Sequence, residues 1–286
     1  MIDLHIHSKL SSGELTVDEI FEKAKKLEVF SIVDNDHCLA YENIDLVKHD
    51  NLVSGVVFTT VIDGLLIDII GYEVNPKIIN NFYYAHYTKE AVEKNEYKLY
   101  DQLQKVMHKN NIVLGDDLQL TLVEKGISKK LVYFNAKKNN PDFPFLNYNN
   151  FYRNGLSNPF SDYFIDESES LIPLKDIVNL IKEAGGLVFL AHPYEYGVNV
   201  DDLIQKLIPL GLDGLEVFHT KAAIYQSLKL LDIAEHYNLY ASAGSDFTKA
   251  RYYYPIGINL HFNTLNTAPF RWLSKYRGHT ENEDIE

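Results

Sequence analysis

Two histidines spaced two apart open the chain, in Ile2-Asp3-Leu4-His5-Ile6-His7-Ser8. Leu4 and Ile6 alternate with them at the period of a strand, so His5 and His7 project from one face and can share one metal ion. Two later apolar runs end on polar groups of the same kind. Leu187 to Ala191 leads into His192-Pro193, and Tyr240 to Gly244 leads into Ser245-Asp246. A strand-end histidine pair, a strand-end histidine and a strand-end aspartate describe a metal site at one end of a barrel or sheet.

The elements that must position these groups follow a βα rhythm. After the first strand, Thr16 with Glu19 three residues on forms a capping box for a helix over about 17–27. Val29 to Val33 is a buried strand that ends in Asp34-Asn35-Asp36-His37. A helix is expected near 40–48, a strand from Leu52 to Thr60, a turn at Ile62-Asp63-Gly64-Leu65 and a strand from Leu66 to Tyr72. Strand, helix, strand is the pattern of a parallel sheet. It breaks after Pro76. Residues 80–110 read as charged helix, and 111–170 carry the loop signals Asn139-Asn140-Pro141, Pro144 and Asn147 to Asn150. The rhythm resumes with helices near 173–184, 200–209 and 221–237 and strands at 187–191, 214–218, 239–243 and 256–260. The expected organisation is a barrel built from 1–75 and 170–275, an inserted helical cap over 76–169, and an acidic tail over 276–286.

Composition narrows the function classes. A chain of 286 residues with 46% hydrophobic residues has room for one large α/β domain and an insertion. A formal charge of −13 argues against a broad nucleic-acid surface. The single Cys38 excludes an internal disulfide and fits a reducing cytosol. No apolar run reaches the roughly 18–20 residues of a membrane span, and no secretory leader pattern opens the chain. A cytoplasmic protein is the expectation.

In order along the chain, the motifs resemble those of the PHP (polymerase and histidinol phosphatase) family, in its small metal-dependent phosphoesterase branch. The family's D-x-H-x-H-S…S-D-G opening is matched by Asp3 to Ser8 and by Ser11-Ser12-Gly13. Its T-D-H-D is matched by Val33-Asp34-Asn35-Asp36, its G-x-E by Gly55-Val56-Val57, and its H-x-x-G-Y by Asp68 to Tyr72. Ala191-His192-Pro193, Gly214-Leu215-Glu216-Val217 and Gly244 to Thr248 match the last three blocks. The resemblance implies a distorted seven-stranded βα (TIM-like) barrel with metals at the C-terminal ends of the strands.

Carried over position by position, His5, His7, His192 and Asp246 keep the family residue. Ser12 stands where an Asp ligand is usual, Asn35, Asp68 and Thr248 where His is usual, and Val57 where a Glu bridges two metals. Neutral oxygens are poor substitutes for imidazole, and Val cannot coordinate. The expected centre therefore holds one or two divalent ions (Zn, Mn or Fe), with His5, His7 and Asp246 at the better site and His192 with Asp68 at a weaker one. Asp36, His37, Glu14 and His219 are near enough to strand ends to replace lost ligands. Their simpler reading is caps for Asp34 and Asp36 and a loop residue for His37.

Glu216 reads as a carboxylate that orients a ligating histidine. Lys249 and Arg251 are candidate phosphate contacts beside the run Tyr252-Tyr253-Tyr254, which packs the barrel end on the simpler reading. Lys129 and Lys130 are conceivable phosphate contacts and, more simply, solvated lysines. The expected function is a weak or narrow phosphoesterase for a small phosphate ester or nucleotide, with His192 and Asp246 in catalysis. The alternative is an inactive PHP-like binding or regulatory protein acting on a protein partner.

Overall fold

A computed structural model describes residues 1–121, 123–249, 255–260 and 262–276. The candidate Arg251, its neighbouring tyrosines and the tail 277–286 lie outside the described residues. Among the described residues two compact units are present: 1–59 with 68–81 and those from 175 to 276, and 60–67 with 82–174.

The first unit is organised by a seven-stranded sheet in sequence order: β1 (Ile2–Ile6), β2 (Val29–Asn35), β3 (Leu52–Ile62), β4 (Leu65–Tyr72), β5 (Leu187–Leu190), β6 (Gly214–His219) and β7 (Tyr240–Gly244). β1, β2 and β3 run parallel, as do β5, β6 and β7, and β4 is antiparallel to β5. The reversal follows from Asp63-Gly64, where φ of 50° and 79° at successive residues allows a two-residue hairpin turn. The chain after β7 returns to β1. His7 N donates to Phe247 O at 2.9 Å, and Ile2 exchanges backbone hydrogen bonds with Ile258. The sheet is thus a nearly closed α/β barrel.

Strands buried on both faces read as continuous apolar runs, and β1 and β2 are buried along almost their whole length. Tyr72 crosses the interior. Its hydroxyl donates to Leu4 O at 3.0 Å, although β2 and β3 separate their strands in the sheet. Its ring lies 4.9 Å from Phe189 and 5.3 Å from Trp272, an aromatic plug at the barrel core.

The helix α1 (Val17–Ala24) begins at the expected capping box, with Thr16 and Glu19 bonded reciprocally. Two expectations differ. Residues 40–48 form two 3-10 turns, Leu39–Tyr41 and Leu46–Lys48, in place of a helix. The first turn is tied down by Tyr41, whose buried hydroxyl receives Ile32 N and donates to Ile32 O and Val53 O. The strand expected at 256–260 is an isolated bridge from Ile258 to Ile2.

The second unit is mostly helical. Its helices α2 (Lys89–Lys109) and α3 (Ile127–Asn139) enclose a core of Leu103, Met107, Val132, Tyr133 and Phe151. α3 starts at Gly126, which has no capping side chain. The buried Glu96 of α2 serves instead, accepting Gly126 N at 2.6 Å and Ser128 N at 3.0 Å. Lys129 is no solvated lysine. It lies half-buried, 2.7 Å from Glu167, with the Tyr152 ring beneath it. Among the described residues, no helix is long and apolar enough to cross a membrane.

Candidate metal centre

The ends of β1, β5, β6 and β7 bring the expected residues together. His5, in β1, and His7, just beyond it, have ring centroids 5.1 Å apart, and the His192 ring stacks 5.9 Å from His5. Asp246 follows β7. Its Oδ1 lies 3.4 Å from His7 Nε2 and 3.8 Å from His5 Nε2. The ligand atoms of His5, His7 and Asp246 all fall within 4.8 Å of one another. Two imidazoles and a carboxylate at that spacing fit one Zn²⁺, Mn²⁺ or Fe²⁺ with a position left for water.

Local backbone strain sets two of these groups. His192 has φ 27° and Asp246 has φ 51°, conformations uncommon outside glycine. Pro193 follows His192 and fixes the start of a 3-10 turn, Pro193–Tyr196. Such strain persists only where neighbours over-determine it, and it clusters at sites of function. Gly244, just before, has no room for a side chain: a Cβ there would lie 2.2 Å from His5 Cβ and 2.5 Å from Glu216 Oε1.

Glu216 is fully buried and organises both histidine strands. Its Oε1 lies 3.0 Å from His5 Nδ1, and its Oε2 accepts His192 N at 2.8 Å. With Nδ1 donating to Glu216, His5 Nε2 is the nitrogen left for an ion. Burial opposes charge on both partners, yet their attraction prevails. The His5 imidazole is pushed up to about 9 and the Glu216 carboxyl down to about 2. Burial likewise opposes ionisation of Asp246, but the hydrogen bond from His7 and the positive charges of His5 and Lys221 hold it well below the usual carboxylate range. His7 Nδ1 is buried without a hydrogen-bond partner among the described residues.

Asp68, on β4, reaches His192: its Oδ2 lies 3.4 Å from Nε2, while Thr59 Oγ1 donates to Oδ1 at 2.6 Å. Asp34 is structural. It accepts Ser8 N, Ser8 Oγ and Ser11 Oγ and so pins the loop after β1. Asp3 is structural too, accepting Ser245 N and Gly257 N, and burial pushes its carboxyl up to about 6. His37 lies by Leu10 O at 3.2 Å, and Glu14 N donates to Thr248 O; neither joins an ion-sized group among the described residues. Val57 is buried, in register with Asn35. Lys249 is exposed.

His219 ends β6 and forms a second ion-sized group with Glu195 and Asp246. A cavity of about 90 Å³ is lined by His192, Glu195, Glu216, His219 and Lys221. Glu195 and Lys221 escaped the sequence reading. The one available signal was position: Glu195 follows His192-Pro193 closely, and Lys221 follows a histidine that ends an apolar run.

No protein-family model matches the chain. It is 23% identical over 260 residues to the phosphoribosyl 1,2-cyclic phosphate 1,2-diphosphodiesterase of Eggerthella lenta, covering 86% of this chain and 93% of that protein. It is 25% identical over 253 residues to a 5'-3' exoribonuclease of Haemophilus influenzae, covering 86% and 89%. A solved structure from Bifidobacterium adolescentis, provisionally described as a metal-dependent phosphoesterase, superposes with a TM-score of 0.63 at 20% identity, over 93% of this chain and 94% of that one. These similarities run along most of the chain. The chain thus resembles the PHP-type metal-dependent phosphoesterases and has their fold.

Proposed function

We propose that this chain is a metal-dependent phosphoric ester hydrolase acting on a small phosphate ester or nucleotide. The observation that carries the reading is the clustering of the His5, His7 and Asp246 ligand atoms within 4.8 Å, with buried Glu216 bonded to the far side of His5. Those three residues would hold one divalent cation, which would polarise a phosphoryl oxygen and make water a better nucleophile near neutral pH. His192 and Asp68 would offer a weaker second position. If that position is empty, the pair of His192 Nε2 and Asp68 Oδ2 can hold a proton near the leaving oxygen. Residues 82–174 are proposed as a domain inserted into the barrel.

Ser12, Asn35, Thr248 and Val57, where the family has strong ligands, support a slow or narrow activity. RNA is the second substrate class, favoured by the similarity to a 5'-3' exoribonuclease. The net charge of −13 favours the small ester. The test is a panel of phosphomonoesters, cyclic phosphodiesters and short 5'-phosphorylated RNAs with Mn²⁺, Zn²⁺ or Fe²⁺, comparing wild type with His5→Ala and Asp246→Ala. Hydrolysis by wild type that both variants lose supports the reading. Wild type no faster than the variants on every substrate overturns it.

A further inference from the structure

Asp246 divides its two oxygens between two cation positions. Oδ1 turns toward His7 and His5, and Oδ2 lies 3.0 Å from the Lys221 ammonium. The same ammonium lies 2.8 Å from Glu195 Oε1, and that oxygen is 4.0 Å from His219 Nδ1. Lys221 Nζ therefore sits on two members of the second ion-sized group, Glu195, His219 and Asp246. Lys221 N donates to His219 Nδ1 at 3.3 Å, and His219 Nε2 is buried without a partner among the described residues.

We propose that Lys221 is a built-in cation that fills the Glu195/His219/Asp246 position and keeps a metal ion out of it. The inference rests on the reading of His5, His7 and Asp246 as the ion site. An ammonium supplies fixed positive charge and hydrogen bonds at 2.8–3.0 Å to both carboxylates. A divalent ion sharing those oxygens would meet that charge at close range, where repulsion is strong in a partly buried site. The ammonium has no acceptor orbital, so it neutralises Asp246 and orients its Oδ1 without activating water. Lys221 is on this account a positioning residue that sets the ion count.

The test counts zinc. Wild type, Lys221→Met, Lys221→Arg and Lys221→Met/His219→Ala, all full chain, are stripped with chelator, reloaded with Zn²⁺ alone, gel-filtered and analysed for zinc per chain. Thermal melts confirm folding, and Lys221→Gln replaces the methionine variant should that one not fold. The expected result is one additional zinc in Lys221→Met, the wild-type count in Lys221→Arg, and loss of the additional zinc in the double variant. No gain in Lys221→Met, or a gain that survives His219→Ala, overturns the proposal. A His5→Ala variant binding as much zinc as wild type would instead overturn the ion site at His5, His7 and Asp246. That outcome is distinct from the zinc gain of Lys221→Met.

Discussion

His5 Nδ1 lies 3.0 Å from Glu216 Oε1, and both side chains are almost wholly removed from solvent. A buried charge pair of this kind costs desolvation on both sides, so its value is in geometry as much as in energy. It sets which imidazole nitrogen faces Asp246, and through Oε2 it also holds the backbone of His192.

Replacing that carboxylate isolates its role. Glu216→Gln keeps the shape and loses the charge. Zinc affinity is expected to fall about 10–100-fold, the usual cost of losing a partner to a ligating histidine. Competition titration against a chromophoric chelator measures it. Unchanged affinity would show that Glu216 serves packing alone.

The same pair sets a pH dependence. In the ion-free chain the His5 imidazole is pushed up to about 9, from 6.5 in the unfolded chain. A raised folded value means stability that is fully present below about pH 6.5 and is lost as pH rises through about 9. The melting temperature of chelator-treated protein is expected to fall across that window, and this contribution is expected to be absent in Glu216→Gln. Neutral imidazole alone ligates, so zinc binding at pH 7 should release about one proton from His5. Calorimetry in buffers of different ionisation enthalpy reads that release; zero released would contradict a protonated His5.

Gly244→Ala tests how tightly the strand ends meet. A Cβ there would sit 2.2 Å from His5 Cβ and 2.9 Å from His5 N, both rigidly held. Something must shift, and a loss of at least about 2 kcal/mol is expected together with weakened zinc binding. Denaturant unfolding gives the first quantity, and a stability within error of wild type would mean that β1 and β7 can separate freely.

Tyr41→Phe is the control away from the ion site. It removes the hydroxyl that receives Ile32 N and donates to Ile32 O and Val53 O. Buried backbone groups left unpaired cost about 1–3 kcal/mol. Stability should fall by that amount while zinc affinity holds.

The sequence by itself determined the strand ends. The two-residue spacing of His5 and His7 put both on one face, and the apolar runs before His192 and Asp246 delivered them to the same end of the barrel. Those are local facts, since a strand's period and its last residue are written in a few neighbouring positions. The Thr16–Glu19 capping box and the Asp63-Gly64 turn were legible for the same reason. Only the tertiary structure decided that Lys221 bridges Glu195 and Asp246, or that Glu216 is shared between His5 and His192. Such pairings join residues tens to hundreds of positions apart and leave no periodic trace. It also decided against a helix at 40–48, where two 3-10 turns form and the Tyr41 hydroxyl bonds to the β2 and β3 backbone. Lys129 shows the same limit. Nothing in its own neighbourhood distinguishes it from a solvated lysine, and its partial burial depends on Glu167 and Tyr152, which the chain supplies from further along.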